Sequence, residues 1–327
     1  MISTLDYEDL AAPYRRELLA HCYRMLGSVH DAEDTVQETL LRAWQARGGF
    51  EGRSSVRVWL YRIATNACLR ALERRERLPM PSGLSTASTD PDRRPEDAQP
   101  GSRWLEPVPD LWLPDPASGD PAAVAVSREG VRLAFISALH HLSARQRAVL
   151  ILRDVLAFSA QETAEILETS TAGVNSALQR ARVRIAAVTP SAQDAVEPTG
   201  PESKLQLERY LRAFEQADME SLVTLLREDV VLEMPPIPTW FSGRDAVVGF
   251  LTRRVLTRPG RFRMTPVVAN GQPGFAAYML HKDGLWHAQD IHVLTLTRTG
   301  VQHIQVFLDA DLFEAFGLPK ELGRPGR

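Results

Sequence analysis

At 327 residues, with 44% hydrophobic and 24% charged side chains, the chain is long enough for two or three domains with buried cores. Its two cysteines are too few for a disulfide framework or a cysteine zinc site, and its net charge of −3 announces no nucleic-acid partner by itself. No apolar run approaches the ~20 residues that span a bilayer, and the acidic, amphipathic start MISTLDYEDLAAPYRREL lacks the basic start and apolar block of a secretory signal, so a reduced, cytoplasmic protein with no membrane contact is expected.

The first block, roughly Leu5 to Leu78, reads as helices. Leu18, Leu19, Cys22, Tyr23, Met25 and Leu26 fall on one helical face, and Gly27 closes that helix. Ser28-Val29-His30-Asp31 starts the next, with Ala32, Val36, Leu40, Leu41 and Trp44 at helical spacing. After the loop Gly48-Gly49-Phe50-Glu51-Gly52, Ser54 or Ser55 caps a third helix running through Trp59, Leu60, Ile63, Ala67 and Leu72.

Residues 79–121 break the periodicity. Their Pro, Ser, Asp and Gly content predicts a flexible, extended linker, within which Trp104 and Trp112 form an apolar patch that should dock onto something. A second helical block runs from about Pro121 to Val188, and a second Pro/Gly/Ser-rich joint, Thr189 to Ser203, leads to an α+β block. That block opens with a helical stretch, Leu205 to Leu226, which a cap at Asp218 splits in two. The short strand Val230–Met234, a helix near Arg244 to Val255 and strands around 262–269, 274–281, 288–298 and 301–308 follow.

Charge is distributed unevenly. From Phe50 to Leu78 seven arginines face three glutamates, a local excess of +4; Ser170 to Ile185 carries +3 and no acid; Pro79 to Ser127 carries −5. Two basic islands flanking an acidic tether are a bipartite electrostatic footprint.

The clearest local pattern leads into the second island, from Ala157 to Arg184. Ser159 and Glu162 form an S-x-x-E capping box, Ala164 is small where two helices would cross, and Ser170 can cap a following helix whose buried stripe is Val174 and Leu178. This is a helix-turn-helix, with Glu168 where such turns often carry Gly. Away from the stripe lie Thr171, Asn175, Ser176, Gln179 and Arg180, of which Asn and Gln can pair with adenine and Arg with guanine; Arg182 and Arg184 are better placed for phosphates. On pattern alone, two packed helices with a solvated polar face remain open as the alternative.

The order of features in the N-terminal block resembles region 2 of the extracytoplasmic-function (ECF) class of bacterial RNA polymerase sigma factors. Asp31-Ala32-Glu33-Asp34-Thr35-Val36-Gln37-Glu38-Thr39-Leu40-Leu41-Arg42-Ala43-Trp44 is similar to that family's core-polymerase-binding helix, and Trp59 to Leu69 to its promoter −10 segment. Leu142-Ser143-Ala144-Arg145-Gln146-Arg147-Ala148-Val149-Leu150 resembles the start of region 4, which the helix-turn-helix completes as the −35 reader. The resemblance implies core RNA polymerase and promoter DNA as partners. Asp31, Asp34, Gln37, Glu38, Leu41 and Trp44 would meet the polymerase, and Phe50, Tyr61, Asn66, Arg70, Arg74 and Arg75 the −10 strand, with Phe50 and Asn66 at positions that help capture an extruded base. Trp59 is expected to be scaffold. No bond chemistry is then required of the chain.

Residues 205–318 resemble a SnoaL-like domain, a curved sheet wrapped by helices into a cone. With the linker's Trp104-Leu105-Glu106-Pro107, this matches a sigma-factor subgroup whose members are controlled by such an extension. The expected fold class is two all-α sigma domains, the second with a helix-turn-helix, followed by an α+β SnoaL-like cone. Boundaries are placed at 1–78 (region 2), 79–121 (acidic linker), 122–188 (region 4), 189–203 (linker) and 204–320 (regulatory cone).

Glu233, His281, His287, Asp290 and His292 raise an acid/base alternative for the cone, although His287 and His292, five apart, would face opposite ways in one regular strand. No metal-ligand spacing stands out, and no cofactor or enzyme activity is expected. The cone is read as regulatory, with Trp104 and Trp112 as its latch and a small-molecule ligand as one possible input. Two other functions compete: a helix-turn-helix repressor or activator that never joins polymerase, and a SnoaL-type enzyme with a DNA-binding module.

Overall fold

A computed structural model describes residues 11–50, 52, 54–73, 78–114, 130–187 and 200–324. The chain divides into two compact units: Met1–Leu78 with Asp110–Pro190, and Pro79–Pro109 with Ser191–Arg327.

In the helical unit, α1 (Arg15–Leu26) ends where Gly27 adopts a left-handed φ of 75°. Ser28 caps α2 (Val29–Ala46) by accepting the Asp31 N–H at 3.2 Å. Of the two candidate caps for α3 (Val56–Glu73), Ser55 takes the Val58 N–H at 3.2 Å. The three helices bury Leu18, Cys22, Tyr23, Met25, Val36, Leu60, Ala64 and Cys68 between them. α4 (Leu133–Leu139) and α5 (Ala144–Leu150) follow, α5 opening on a Ser143–Gln146 capping box and running into a π-turn at Ile151–Val155.

α6 (Ala160–Ile166) starts on the expected Ser159–Glu162 capping box, and α7 (Thr171–Ala186) on Ser170, which accepts the Gly173 N–H. Between them Glu168 takes a φ of 51°, the left-handed conformation that explains why such turns favour glycine. The stripe that seats α7 is Val174, Leu178 and Ala181.

The second unit is built on a seven-stranded sheet. α8 (Pro201–Glu215) and α9 (Met219–Leu225), the latter capped by Asp218, lead into β1 (Leu226–Met234) and β2 (Ile237–Ser242). α10 (Arg244–Phe250), β3 (Phe262–Ala269), β4 (Gln272–Leu280), β5 (Trp286–Thr297) and β6 (Gly300–Phe307) come next, then α11 (Leu312–Ala315) and the short β7 (Glu321–Leu322). Strand order is β2-β1-β6-β5-β4-β3, with β7 added to β5; only β1 and β6 run parallel. One sheet face packs Leu232, Phe241, Phe275, Leu294 and Ile304 against Tyr210, Phe214, Leu222, Val247 and Phe250 of the helices, in a single apolar core.

The segment 79–109, expected to be a flexible extended linker, is packed on this sheet. Ser88 bridges to edge strand β2, its N–H bonding the Trp240 carbonyl at 2.9 Å, and Val108 exchanges two 2.9 Å bonds with Asn270 beside β3, the opposite edge. Between these anchors the Ser82 N–H donates to Glu233 at 2.8 Å, the Glu96 N–H to Thr239 at 2.8 Å, and Asp92 pairs with Arg253 at 3.2 Å. Met80, Leu105 and Val108 are buried. Low periodicity describes this strap correctly, but its backbone donors find partners on the sheet rather than in water.

Candidate nucleic-acid interface

α7 carries the polar face that its spacing predicts. Thr171, Asn175, Ser176, Gln179, Arg180, Arg182 and Arg184 are all exposed, opposite the buried stripe. Arg180 bonds the Ser176 hydroxyl at 2.5 Å, so the two present one hydrogen-bonding cluster. Arg182 is held by Asp154 of the π-turn through two bonds of 2.9 and 2.6 Å. Asp154 escaped the sequence reading because nothing local marks a carboxylate 28 residues away as a partner.

α2 offers a different surface. Asp34, Gln37, Glu38, Leu41 and Trp44 are exposed and Asp31 is half-exposed; Leu41 and Trp44 are 56% and 39% accessible. Large apolar side chains among acids, with Arg47 lying 4.1 Å over the Trp44 ring, form a face suited to a protein partner and unsuited to DNA.

The expected −10 residues are treated less evenly. Phe50 is half-buried, its ring 4.9 Å from the buried Trp59; Asn66 is half-buried and Arg70 exposed. Arg74 and Arg75 lie outside the described residues. Tyr61 is a correction: it is completely buried and offers no ring to DNA. α3 is clamped on this side by α1 and by Phe158. The Tyr61 hydroxyl meets Glu17 at 3.3 Å and its ring packs edge-on against Phe158 at 5.0 Å, so burial, followed by the Glu17 carboxylate, pushes its pKa up. Nearby, buried His21 bonds Thr65 at 2.9 Å, and burial together with Arg24 and Arg57 lowers its pKa to about 3.

The two linker tryptophans fall in different units. Trp104 lies in the strap, its indole bonding Ser102 at 3.1 Å, beside a cavity of about 260 Å³ lined also by Pro235, Phe307 and Leu312. Trp112 belongs to the helical unit, on the turn Asp110–Trp112.

The five acid/base candidates of the cone fall in three separate places. Asp290 and His292 do share a face, inside the core, with Asp290 Oδ1 2.8 Å from His292 Nε2 and the Tyr210 hydroxyl 3.4 Å from Nδ1. The Asp–His contact has the distance of an ion pair without the alignment of a hydrogen bond. Glu233 sits on the opposite sheet face with His303 at 2.7 Å; burial opposes its charge, but His303 and the Ser82 N–H outweigh it and hold its pKa below the usual carboxylate value. The rings of His281 and His287 lie 4.4 Å apart, tilted by 44°, at the β4–β5 end, where His287 meets Asp283 at 2.8 Å.

The facing of His287 and His292 also needs correcting. A bulge in β5 lets His287 pair with Met279 and His292 with Phe275, four residues apart, so the two share one register face. Among the described residues no group of three or more His, Cys, Asp or Glu is placed to hold a metal, and no helix is long and apolar enough to cross a membrane.

A helix-turn-helix with an open reading face, preceded by a three-helix block with an acidic, apolar partner face, defines a DNA-directed transcription protein. Comparison with known proteins is specific: residues 10–78 match Sigma-70 region 2, residues 132–185 match Sigma-70 region 4, and residues 207–307 match the SnoaL-like domain. The ECF RNA polymerase sigma factor SigG of Mycobacterium tuberculosis is 50% identical over 97% of this chain and 85% of its own length. SigJ of the same species is 28% identical over 80% and 77%. The crystal structure of M. tuberculosis SigJ superposes with a TM-score of 0.58 at 25% identity, covering 97% of this chain and 100% of that one. The chain belongs to the ECF family of RNA polymerase sigma factors, with a SnoaL-like domain fused behind region 4.

Proposed function

We propose that this sigma factor joins core RNA polymerase through Asp31, Asp34, Gln37, Glu38, Leu41 and Trp44, opens the −10 element with Phe50, Asn66 and Arg70, and reads the −35 element with α7. The observation that carries the reading is the exposed face of α7, where every polar residue expected to reach bases or phosphates is open. Asn175, Gln179 and Arg180 read base edges, while Arg182 and Arg184 fix the register on phosphates. Capturing an extruded −10 base offsets part of the few-kcal/mol cost of unstacking it, and the polymerase makes the phosphodiester bonds.

In this reading the SnoaL-like unit regulates the linker between the two DNA-reading regions. Support comes from the strap, whose anchors reach both edges of the sheet through Ser88 and Val108. Removing residues 204–327 would strip the strap of its partner, so point variants are the cleaner test. Run-off transcription with core polymerase should yield promoter-specific transcripts from the full chain, and Asn270→Ala with Glu233→Gln should alter their yield at limiting polymerase. Transcripts absent where a control sigma factor works would favour a repressor or activator instead; unchanged yield in the double variant would remove the regulatory role of the strap.

A further inference from the structure

A third basic run lies in the SnoaL-like unit, outside the two islands that flank the tether. From Ala246 to Lys282 the chain carries Arg253, Arg254, Arg258, Arg261, Arg263 and Lys282 and no acid. The arginines fall at one corner of the unit, where α10 passes through a π-turn at Leu251–Val255 and a short turn into the edge strand β3. Arg261 builds that corner. Its Nη1 donates to the Val255 carbonyl at 2.9 Å and the Arg254 carbonyl at 3.4 Å, satisfying oxygens that the end of a helix leaves open. Arg253, Arg254, Arg258 and Arg263 are exposed, Arg263 alternating outward between buried Phe262 and Met264. Arg258 and Arg263 have no ion-pair partner among the described residues.

Acids reach this corner from two other elements. Glu215 of α8 accepts the Met264 N–H at 2.8 Å, so one of its carboxylate oxygens is turned to backbone. Asp92 of the strap pairs with Arg253 at 3.2 Å, and its carbonyl lies 3.5 Å from Arg254 Nη2. The seat for Asp92 is built. Pro91 packs on Gly249 of α10, where a Cβ would lie 2.3 Å from the Pro91 Cβ, so only glycine lets the strap come this close. Both members of the Asp92–Arg253 pair are at least half exposed, and such a pair is readily exchanged for another anion.

We infer that Arg253, Arg254, Arg258 and Arg263 form a contact surface for the phosphate backbone of duplex DNA, and that Asp92 occupies it as an intramolecular stand-in for phosphate. The choice of DNA as the polyanion rests on the sigma-factor reading above. Guanidiniums without an apolar centre suit phosphates better than a protein partner. From Leu251 to Arg263 no large hydrophobic side chain is exposed, unlike the α2 face with its Leu41 and Trp44. Such a surface adds affinity and no sequence preference. DNA on it displaces Asp92, so DNA binding and docking of this part of the strap oppose each other.

The test measures binding of the full chain to a promoter duplex and to a scrambled duplex across a range of salt. Arg258→Gln with Arg263→Gln removes two exposed, unpaired charges and should lower the slope of log affinity against log salt by about two units. The parent should then lose about tenfold more affinity than the double variant between roughly 50 and 200 mM salt, on both duplexes alike. Asp92→Asn should move the other way, tightening binding up to about threefold and steepening the slope. Opposite signs separate a contact surface from damage to the fold, since a destabilised unit weakens binding in every variant. Unchanged slopes in both variants would overturn the surface. So would a loss confined to core-polymerase association or to single-stranded RNA, which would assign the corner to a protein or RNA partner. Run-off transcription is read in parallel: absence of promoter-specific transcripts from the parent would overturn the sigma reading, while the salt slopes still decide the surface.

Discussion

Two helices of this protein carry arginines and polar residues in the order a DNA reader needs, and the structure uses them differently. α7 rests on a narrow stripe of three residues, Val174, Leu178 and Ala181, so the rest of its circumference is open. α3 buries eight, Val58, Trp59, Leu60, Tyr61, Ala64, Thr65, Ala67 and Cys68, because α1, α2 and α6 all pack on it. Composition alone cannot separate the two: an aromatic among arginines reads as a base-stacking platform in one setting and as core in the other. What separates them is the width of the apolar stripe.

The largest test of that contrast is Tyr61→Ala. Deleting a fully buried aromatic should cost ~3–5 kcal/mol and lower the melting temperature sharply, whereas Arg180→Ala should leave melting unchanged and act only on promoter binding. Tyr61→Phe, which removes only the 3.3 Å contact to Glu17, should be nearly as stable as the parent. A Tyr61→Ala protein that melts normally yet fails on −10 DNA would reinstate Tyr61 as a reader.

The buried side of α3 should also show in its acid response. His21, bonded to Thr65 of α3, has its pKa lowered from 6.5 to about 3, so the unfolded chain takes up this proton more readily than the folded one. The contribution is complete above pH 6.5 and is lost as pH falls toward 3. Each pH unit below 6.5 costs about 1.4 kcal/mol, roughly 2 kcal/mol by pH 5. Thermal melts of the full chain at pH 7 and pH 5 should show this loss, and His21→Gln should blunt it. Equal acid loss in both proteins would place the sensitivity elsewhere.

On the open helix the effects are smaller and confined to binding. Asn175→Ala should weaken promoter binding by about tenfold and relax preference at one −35 base pair, with no change in melting. Competition between the parent promoter and single-base variants measures it; uniform weakening across all variants would move Asn175 from base to phosphate contact.

How much of this was legible in the sequence follows the same physics. The capping box at Ser159, the Ser170 and Asp218 caps and the Gly27 stop are local devices, and each lies where its side chain and spacing require. The family order of regions was legible for the same reason, since its motifs are contiguous. The strap was not: Ser82 meets Glu233 across 151 residues and Val108 meets Asn270 across 162, and no periodicity encodes such pairing. The β5 bulge was equally hidden, because one extra residue reverses the facing of His287 relative to His292 without changing the hydrophobic pattern. Glu168 lies between these cases: its departure from Gly was visible, and the left-handed φ of 51° shows what the position demands.

The smallest effect expected concerns Arg182 and Arg184, one turn-end of α7 but unequal partners for DNA. Arg184→Ala should lower the salt dependence of binding by about one counterion, as for a simple phosphate contact. Arg182 must first leave Asp154, to which it is bound at 2.6 and 2.9 Å, so its net contribution is reduced by whatever that exposed pair is worth, ~0–1 kcal/mol. Asp154→Ala removes the competitor and a negative charge near the DNA backbone, and should tighten binding up to about threefold on every sequence alike, because phosphates carry no base identity. If Asp154→Ala instead weakens binding while Arg182→Ala has no further effect in the same background, the carboxylate is aiming the guanidinium at a phosphate. The open face of α7 would then be less free than its exposure indicates.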